Sequence, residues 1–365
     1  MARLPRVVFA VSGHGYGHAT RSALLLERLA AAVPVEAFVR SSAPARLFAG
    51  TGAALSAGDD EPPLLQRGGL EVDWEGSLRA HQQALARRPA AVAAEAAWLA
   101  GVRPDLVLSD ASSLACEAAA KAGVPCRLFS NFTWDWVLGE RAKADPRWLP
   151  VAGRLAEAYA CAAGAWRLPG SGGFATVRSV EDAPLVARRS RLERAAARAA
   201  LGVPADGKPL VLVSFGGFGA TLPRLGAPGL DAYRFAGFGP KPAGLAAQWT
   251  ELDASPASPH AEAVAACDAI VCKPGYGTFA EAAAHGARVL FVDRPDYAEA
   301  AALTGWLRGV AACRELPRGD FEEGRWAAHL DALLSRPAPP PVPAAGADAV
   351  AVRVRALLGQ PNRSP

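Results

Sequence analysis

The sequence predicts an α/β protein of two facing doubly wound domains with a cleft between them. A short apolar run at residues 7–11 ends in a glycine-rich turn at 12–18, and the same pattern recurs at 210–213 and 214–219. The length of 365 residues also fits two domains, because one domain usually takes about 100–200 residues. Ligands of such sheets bind at the carboxyl ends of the strands, so we expect the site in the cleft.

The first half shows alternating strand and helix patterns. Residues 7–11 predict a strand, a helix follows from Ala19, and residues 35–39 predict a second strand, which together make a βαβ unit. A buried strand is predicted at 105–110. The next helix, over 113–122, is expected to stop at Gly123, and another strand follows at 125–129.

The second half begins after an arginine-rich stretch at 178–209, which we interpret as the crossover between the domains. Strands are predicted at 210–213, 268–272 and 289–292, with a helix at 278–285, and a last helix runs from Asp348, as its N-cap, to Leu358. The predicted organisation is a first domain over 1–180, a second over 181–340, and a return helix with a tail over 341–365.

Composition excludes several classes of protein. With 51% hydrophobic and 20% charged residues, the chain is expected to fold into a packed globule rather than to be disordered. The net charge of +4 is too small to indicate a nucleic-acid partner. No apolar run reaches the ~18 residues of a membrane span, and residues 7–11 are too few for a signal-peptide core. We therefore expect no stable membrane insertion and a cytoplasmic location.

Metal binding is not predicted either. The six cysteines form no CxxC pair and have no histidine at metal-ligand spacing, so they are typical of reduced, mostly buried thiols. No Asp-x-Asp pattern ends a predicted strand.

The first glycine-rich turn carries two histidines, His14 and His18, around Tyr16. Histidine has a pKa near neutrality without help, so His18 at the start of the helix is a candidate general base. The alternative is a histidine that only caps the turn or forms hydrogen bonds within it. Dinucleotide binding is disfavoured, because the usual fingerprint needs glycine at position 18 and an acid where Arg40 ends the second strand. Arg40 leaves an NADP interpretation open.

Asp110 ends the predicted strand at 105–110 and therefore opens on the same edge as the first turn. A carboxylate at that position can orient an imidazole and stabilise its charged form. His18 and Asp110 are accordingly the candidate catalytic pair. The alternative for Asp110 is an N-cap of the following helix.

An aromatic segment at residues 131–136 follows the strand at 125–129. Tryptophan and tyrosine faces stack on sugars, and asparagine and aspartate pair with hydroxyl groups. The alternative is that these aromatic side chains anchor the neighbouring helix in the core. The candidate acceptor-binding residues are His14, Tyr16, Asn131, Trp134 and Asp135.

The second half offers an anion site at two turns. The turn after residues 210–213 can present backbone N–H groups to a phosphate. A stronger pattern starts at Lys273, where a strand, a glycine turn and a helix N-terminus follow each other. Lys273 supplies a charge for a diphosphate, and Glu281 can bind two ribose hydroxyls, although Thr278-x-x-Glu281 also fits a capping box. The nucleotide-site candidates are Ser214, Gly216, Gly217, Lys273, Gly275, Tyr276, Gly277, Thr278 and Glu281.

These motifs resemble those of inverting GT-B glycosyltransferases of the UDP-glycosyltransferase and lipid-linked N-acetylglucosaminyltransferase kind. Their glycine loop ends in Gly-His, as at Gly17-His18, and their donor signature has the spacing of Lys273-x-Gly275-x-x-Thr278-x-x-Glu281. A closer resemblance is to the N-terminal, glycosyltransferase-like half of plant L-arabinokinases and its stand-alone bacterial relatives. It is carried by the stretches 13–21, 109–110, 131–135 and 275–281 and covers the chain to about Arg336. The kinase half is not part of it, so kinase activity is not expected.

The resemblance implies a GT-B architecture, in which two Rossmann-like domains bind the acceptor and the nucleotide sugar respectively. It implies His18 as base, Asp110 as its partner and Glu281 as ribose ligand. Where the family holds the donor sugar with an acidic-glutamine pair, residues 293–299 offer no glutamine, and Asp296 and Glu299 are the candidates there.

The function implied is metal-independent, inverting transfer of a sugar from a nucleotide sugar, with UDP as the favoured nucleotide, to a hydroxyl of a small-molecule or glycan acceptor. The donor is a substrate, and no other cofactor is expected. Two alternatives stay open. A non-catalytic nucleotide-sugar-binding protein would need Lys273 and Glu281 but not His18 and Asp110. A nucleotide-sugar 2-epimerase on the same fold usually has more acids in its cleft.

Overall fold

The computed structural model describes residues 3–58, 61–216, 228–239, 242, 244, 248–253 and 260–359. Gly217, a predicted phosphate-binding residue, lies outside these residues. The strands within them are β1 (Arg6–Val11), β2 (Glu36–Arg40), β3 (Ala54–Ser56), β4 (Gln66–Arg67), β5 (Glu71–Val72), β6 (Leu106–Asp110), β7 (Cys126–Phe132), β8 (Gly164–Gly172), β9 (Val180–Asp182), β10 (Leu210–Ser214), β11 (Arg234–Gly237), β12 (Trp249–Glu251), β13 (Ala269–Cys272), β14 (Arg288–Phe291) and β15 (Cys313–Glu315).

The α-helices in the same residues surround these strands, and three short 3-10 turns connect others. The helices are α1 (Tyr16–Ala32), α2 (Trp74–Val102), α3 (Ser113–Lys121), α4 (Trp134–Ala142), α5 (Leu149–Tyr159), α6 (Arg194–Ala200), α7 (His260–Ala266), α8 (Tyr276–His285), α9 (Ala298–Val310), α10 (Arg318–Glu322), α11 (Ala327–Leu334) and α12 (Gly346–Leu358). No helix of the described residues is long and apolar enough to cross a membrane.

Two parallel sheets form the two halves, as predicted. The first has the order β3-β2-β1-β6-β7-β8-β9 and the second the order β12-β11-β10-β13-β14-β15. In the first sheet β1 lies between β2 and β6, with Val11 opposite Asp110. In the second sheet β13 lies between β10 and β14, with Cys272 opposite Phe291. The residues after β1, β6, β13 and β14 therefore emerge at carboxyl edges, where parallel sheets bind ligands.

Apolar sequence runs explain the central strands. β6 and β10 are buried along their whole length, as expected for strands covered by helices on both faces. Helix α1 covers one face of the first sheet with Leu25, Leu26 and Leu29, none of which is accessible to solvent.

Several helix boundaries differ from prediction, with α8 starting at Tyr276 rather than at residue 278 and α3 ending at Lys121 rather than at residue 122. Helix α1 starts at Tyr16 rather than Ala19, because Gly15 at φ 82° already turns the chain into the helix. Helix α12 starts at Gly346 with Ala345 as its N-cap, so the prediction of Asp348 as N-cap is wrong, and Asp348 lies in the first turn.

Helix α12, which follows the second sheet along the chain, lies against the first half. It packs on α1, and the Gly346 N–H donates to the Leu185 carbonyl at 2.9 Å. A Cβ at position 346 would lie 2.2 Å from the Pro184 carbonyl oxygen, so only glycine allows this approach. The predicted domain limit between residues 180 and 181 falls inside β9, an edge strand of the first sheet, and the division itself stays a prediction.

Candidate functional site

His18 lies in the first turn of α1 and faces Asp110 at the end of β6. Its Nδ1 is 2.8 Å from Asp110 Oδ1, and both side chains are buried. The parallel pairing of β1 with β6 places the two segments side by side. The position of the pair at one carboxyl edge is as the sequence predicted.

Capping roles do not explain these two residues. The N-cap of α1 is Gly15, and no side chain caps that helix. The N-cap of α3 is Ser112, whose hydroxyl accepts from the Ala115 N–H at 3.2 Å. The alternative interpretations of His18 as a cap and Asp110 as an N-cap are therefore wrong.

Arg21, one turn after His18, is the residue that sequence analysis missed here. Its Nε donates to Asp110 Oδ2 at 2.8 Å, and its Nη1 donates to Asn131 Oδ1 at 2.6 Å. Ser22 Oγ also donates to Asp110 Oδ2 at 2.8 Å. Residues three and four positions apart share one face of a helix, so the spacing of His18, Arg21 and Ser22 was the signal available.

The charges of this cluster keep Asp110 ionised. Burial alone would raise the pKa of Asp110, but the charges of Arg21 and His18 and their hydrogen bonds outweigh it and lower that pKa to about 2. Burial also opposes the charge on Arg21, yet Asp110 raises the net pKa of the guanidinium. Arg21 Nη2 lies 2.9 Å from His18 Nδ1, but an ionised Asp110 favours the tautomer with the proton on Nδ1. That tautomer leaves Nε2 of His18 as the proton-accepting atom.

Asn131 connects the two halves instead of standing open to the cleft. Its side chain is buried, its Oδ1 accepts from Arg21, and its Nδ2 donates to Glu299 Oε1 at 2.8 Å. One donor and one acceptor of the amide are thus used inside the protein. Glu299, a predicted donor-sugar residue, is held at the start of α9 by this bond.

The other predicted acceptor residues do not lie together, since some are buried in the core and others are exposed. Trp134 is 3% exposed and packs edge-on against Phe132 and His14, which favours the core-anchor alternative for the aromatic segment. Asp135 Oδ2 accepts from Thr176 Oγ1 at 3.3 Å. Tyr16 is exposed, and its hydroxyl accepts from Arg46 Nη2 at 3.0 Å.

His14 differs from His18 in its electrostatics. Burial, followed by the positive charges of His18, Arg294 and Lys273, lowers the pKa of His14 to about 3. A neutral imidazole of such low basicity can form hydrogen bonds but is a poor proton acceptor near pH 7. The low pKa of His14 therefore favours His18 over His14 as the base.

The glycine turns of the two halves meet across the cleft. A Cβ on Gly277 would lie 3.6 Å from the Cα of Gly17, so the N-terminus of α8 faces that of α1. Arg21 lies over the ring of the buried Tyr276, 4.9 Å from its centre, and the Tyr276 hydroxyl accepts from the Val186 N–H at 3.2 Å. The N-termini of two helices, α1 of 17 residues and α8 of 10 residues, thus lie close together, and the dipoles of both favour an anion nearby.

Glu281 is not the glutamate of a capping box. The N-cap of α8 is Gly275, no side chain caps it, and Thr278 lies inside the helix. The capping alternative is therefore wrong. Glu281 Oε2 instead lies 2.5 Å from His260 Nδ1, and His260 Nε2 lies 2.8 Å from Ser214 Oγ.

His260 was not predicted, and its only sequence signal is its place as the first residue of α7. Its ring stacks on Phe238 at 5.7 Å between centres. Together with Ser214 and Glu281 it forms a polar chain along the carboxyl edge of the second sheet. Gly216 follows Ser214 at φ 72°, a conformation that favours glycine.

Lys273 lies between β13 and α8, and its Nζ donates to the Gly69 carbonyl at 3.0 Å. Gly69 belongs to the turn of the β4–β5 hairpin, so the first half contacts the predicted anion-binding lysine through this hairpin. Burial and the charge of Arg294 lower the pKa of Lys273 to about 7.

Arg294 is a second residue that sequence analysis missed, in the segment that follows β14. It is 6% exposed, and its guanidinium lies 4.7 Å from the ring centre of Tyr297. Asp296, predicted from the same stretch, is exposed. A charged residue three positions after the last residue of β14 was the available signal.

The remaining dinucleotide interpretation depended on Arg40. Its Nη2 lies 2.5 Å from Glu95 Oε2, and its guanidinium lies over the ring of Trp98. Arg40 is thus engaged in a side-chain pair, which disfavours a role in binding a 2′-phosphate.

Comparison with solved structures decides the fold. The chain superposes on CalG4, the calicheamicin glycosyltransferase, with a TM-score of 0.63 at 16% identity over 100% of both chains. The chain has the GT-B fold. UGT2 of Phytolacca americana, solved with UDP-2-fluoroglucose and pterostilbene, gives a TM-score of 0.61 at 14% identity over 97% of this chain and 94% of that one. The glycosyltransferase VinC in complex with dTDP gives 0.55 at 17% identity, over 97% and 95%.

The chain is also similar in sequence to a curated protein. L-arabinokinase of Arabidopsis thaliana is 30% identical in an alignment of 347 residues that covers 90% of this chain and 32% of that protein. The chain therefore spans about a third of the length of the relative it matches. No protein-family model matches the sequence.

Proposed function

We propose that the chain is an inverting glycosyltransferase that moves a sugar from a nucleotide sugar to a hydroxyl acceptor without a metal ion. The observation that carries this proposal is the buried His18–Asp110 pair, which lies directly across the cleft from the N-terminus of α8. A base on one side and an anion-binding helix end on the other are the two elements that the reaction needs.

The acceptor hydroxyl would lose its proton to Nε2 of His18 as its oxygen attacks the anomeric carbon of the donor. Asp110, held by Arg21 and Ser22, would stabilise the imidazolium through Nδ1. The bond from the anomeric carbon to the diphosphate oxygen breaks, and its electron pair leaves with the diphosphate. Attack in line with this leaving group inverts the configuration at that carbon.

The departing diphosphate would be held by the second half. The N-terminal N–H groups of α8, which begins beside Gly17, and the charge of Lys273 would bind its oxygens. Within the described residues no group of three or more His, Cys, Asp or Glu side chains could hold a metal ion. Lys273 and the helix dipoles would supply the positive charge instead.

The nucleoside would lie along Ser214, His260 and Glu281, where the carboxylate can accept from two ribose hydroxyls. UDP is the first choice of nucleotide, because the similar UGT2 was solved with a UDP sugar, and dTDP is the second, because VinC was solved with dTDP. His260 occupies one oxygen of Glu281, so ribose binding would share or displace that contact. We place the reaction in the cytoplasm, where the six cysteines, all free in the structure, stay reduced.

A donor-hydrolysis screen tests this function. The purified chain is incubated with UDP-, dTDP- and GDP-linked sugars, and release of the nucleoside diphosphate is measured. We expect release from at least one donor. Tight nucleotide binding without any turnover would instead indicate a nucleotide-sugar-binding protein.

A further inference from the structure

Arg294 is buried and forms no hydrogen-bonded ion pair with a described side chain. It is 6% exposed, and its Nε and Nη2 have no hydrogen-bond partner within the described residues. Its guanidinium lies over the Tyr297 ring, and burial lowers its pKa although the charge of Glu299 partly offsets this effect. A buried charge whose donors lack hydrogen-bond partners is costly to a folded protein, so its presence indicates a ligand of opposite charge.

The strand register places Arg294 in the cleft beside the diphosphate site. Cys272 and Phe291 are paired at the ends of β13 and β14, and the Val292 N–H donates to the Cys272 carbonyl at 2.8 Å. Lys273 and Arg294 therefore leave adjacent strands at the same edge. The charge of Arg294 also acts on His14, which belongs to the first half, so the guanidinium lies near the facing wall.

The acidic residues of the same segment form no hydrogen-bonded ion pair with Arg294 among the described residues. Glu299 accepts from Asn131 across the cleft, and Asp296 is exposed. Asp293 pairs with no arginine among the described residues, and its Oδ1 is itself buried without a hydrogen-bond partner. Arg294 thus keeps a planar fork of donors, and such a fork matches the two oxygens of a carboxylate.

The position of the fork selects the part of the donor that it would contact. The α8 N-terminus and Lys273 account for the diphosphate, and Arg294 lies one strand further along the edge. The sugar is the group bonded directly to the second phosphate, so it is the next group along that edge. We propose that Arg294 binds a carboxylate on the donor sugar, and hence that the donor is a nucleotide-linked uronic acid. This inference rests on the proposed function and names its substrate class.

Calorimetric titration with matched donors tests the assignment. The full chain is titrated with UDP-glucuronate, UDP-galacturonate, UDP-glucose, UDP-galactose and UDP, and donor hydrolysis is measured beside it. We expect a uronate to bind and react at least tenfold better than the neutral sugar of the same configuration. Arg294→Gln should weaken uronate binding about 10- to 100-fold, the size of a lost charged hydrogen-bond pair, and leave UDP affinity within a few-fold.

Three further variants separate the possible roles of the charge. Arg294→Lys keeps the charge but not the fork and should recover only part of the uronate preference. Lys273→Met should weaken uronate and neutral donors equally. Arg308→Gln is the matched control, because Arg308 lies exposed at the far end of α9 beside Glu315, and it should bind every ligand as the wild type does. Melting curves should show Arg294→Gln folded, since it removes an unpaired buried charge.

The outcomes distinguish this inference from the function on which it rests. Equal use of uronate and neutral donors by the wild type would overturn the uronate assignment and leave glycosyl transfer standing. An equal loss of UDP and uronate binding in Arg294→Gln would overturn it too, because the fork would then hold the diphosphate. Failure of UDP, dTDP and GDP alike to bind would contradict the proposed function and this inference with it.

Discussion

Nucleotide affinity should depend on pH through Lys273. Burial and the charge of Arg294 hold the pKa of this ammonium at about 7 in the free protein. A bound diphosphate places negative charge beside it and raises that pKa. The free protein loses the proton above pH 7 while the complex keeps it, so UDP affinity should fall as the pH rises through 7.

The size of the effect follows from that pKa. Each pH unit above 7 costs about 1.4 kcal/mol of binding free energy, or about tenfold in affinity, until the pKa of the complex is reached. At pH 8 about nine-tenths of the free protein would carry a neutral Lys273, so binding should take up about 0.9 proton. Calorimetric titration with UDP in two buffers of different ionisation enthalpy measures this uptake directly.

Two variants test whether Lys273 is the group concerned. Lys273→Arg keeps a charge at every accessible pH and should bind UDP with little dependence between pH 7 and 9. Lys273→Met should bind weakly at all of these values and take up no proton. Equal proton uptake by the wild type and Lys273→Met would refute the reasoning.

Three other perturbations have definite expected outcomes. Glu281→Gln should weaken UDP binding at least tenfold in calorimetry, because it removes charged hydrogen bonds to the ribose, with little change in melting temperature because Glu281 does not cap α8 and glutamine keeps an oxygen for the contact with His260; an unchanged affinity would exclude it as the ribose ligand. Arg21→Met should lower the free energy of unfolding in urea by about 3–5 kcal/mol, since it leaves Asp110 buried without its guanidinium, and a loss below about 1 kcal/mol would contradict the packing described. Excess EDTA should leave donor hydrolysis unchanged, whereas a strict need for manganese or magnesium would contradict a metal-free mechanism.

The sequence was sufficient for the parts of the molecule that local patterns determine. Apolar runs bounded by glycine turns located the central strands of both sheets, and the carboxyl ends of those strands identified His18, Asp110, Lys273 and Glu281 as candidates. Their position at the edge follows from strand polarity alone.

The contacts between the halves were not predictable in this way. The sequence around Arg21 is that of an ordinary amphipathic helix. In the structure, however, Arg21 is buried between Asp110 of the first half and Tyr276 of the second half. Asn131 was assigned to the acceptor, but its amide joins Arg21 to Glu299. Such roles depend on how two sheets face each other, and no periodicity in one segment carries that information.

Burial also changed the roles that we assign to particular aromatic and charged residues. Trp134 was a candidate for stacking on a sugar, but at 3% exposure it packs on Phe132 and His14. Arg294 was passed over beside Asp296 and Glu299, and only its burial without a partner makes it a candidate. Local sequence does not show which side of a loop turns inward.

The most direct test of the central claim compares donor turnover by the wild type and His18→Ala at matched nucleotide saturation. Loss of a general base lowers rates by about 10²–10⁴-fold, and His18 lies in the half opposite the nucleotide. The account predicts a loss of that size in nucleoside diphosphate release, with UDP affinity within a few-fold of wild type and a milder loss for Asp110→Asn. Wild-type turnover by His18→Ala would contradict the assignment of His18 as the base and with it the proposed mechanism.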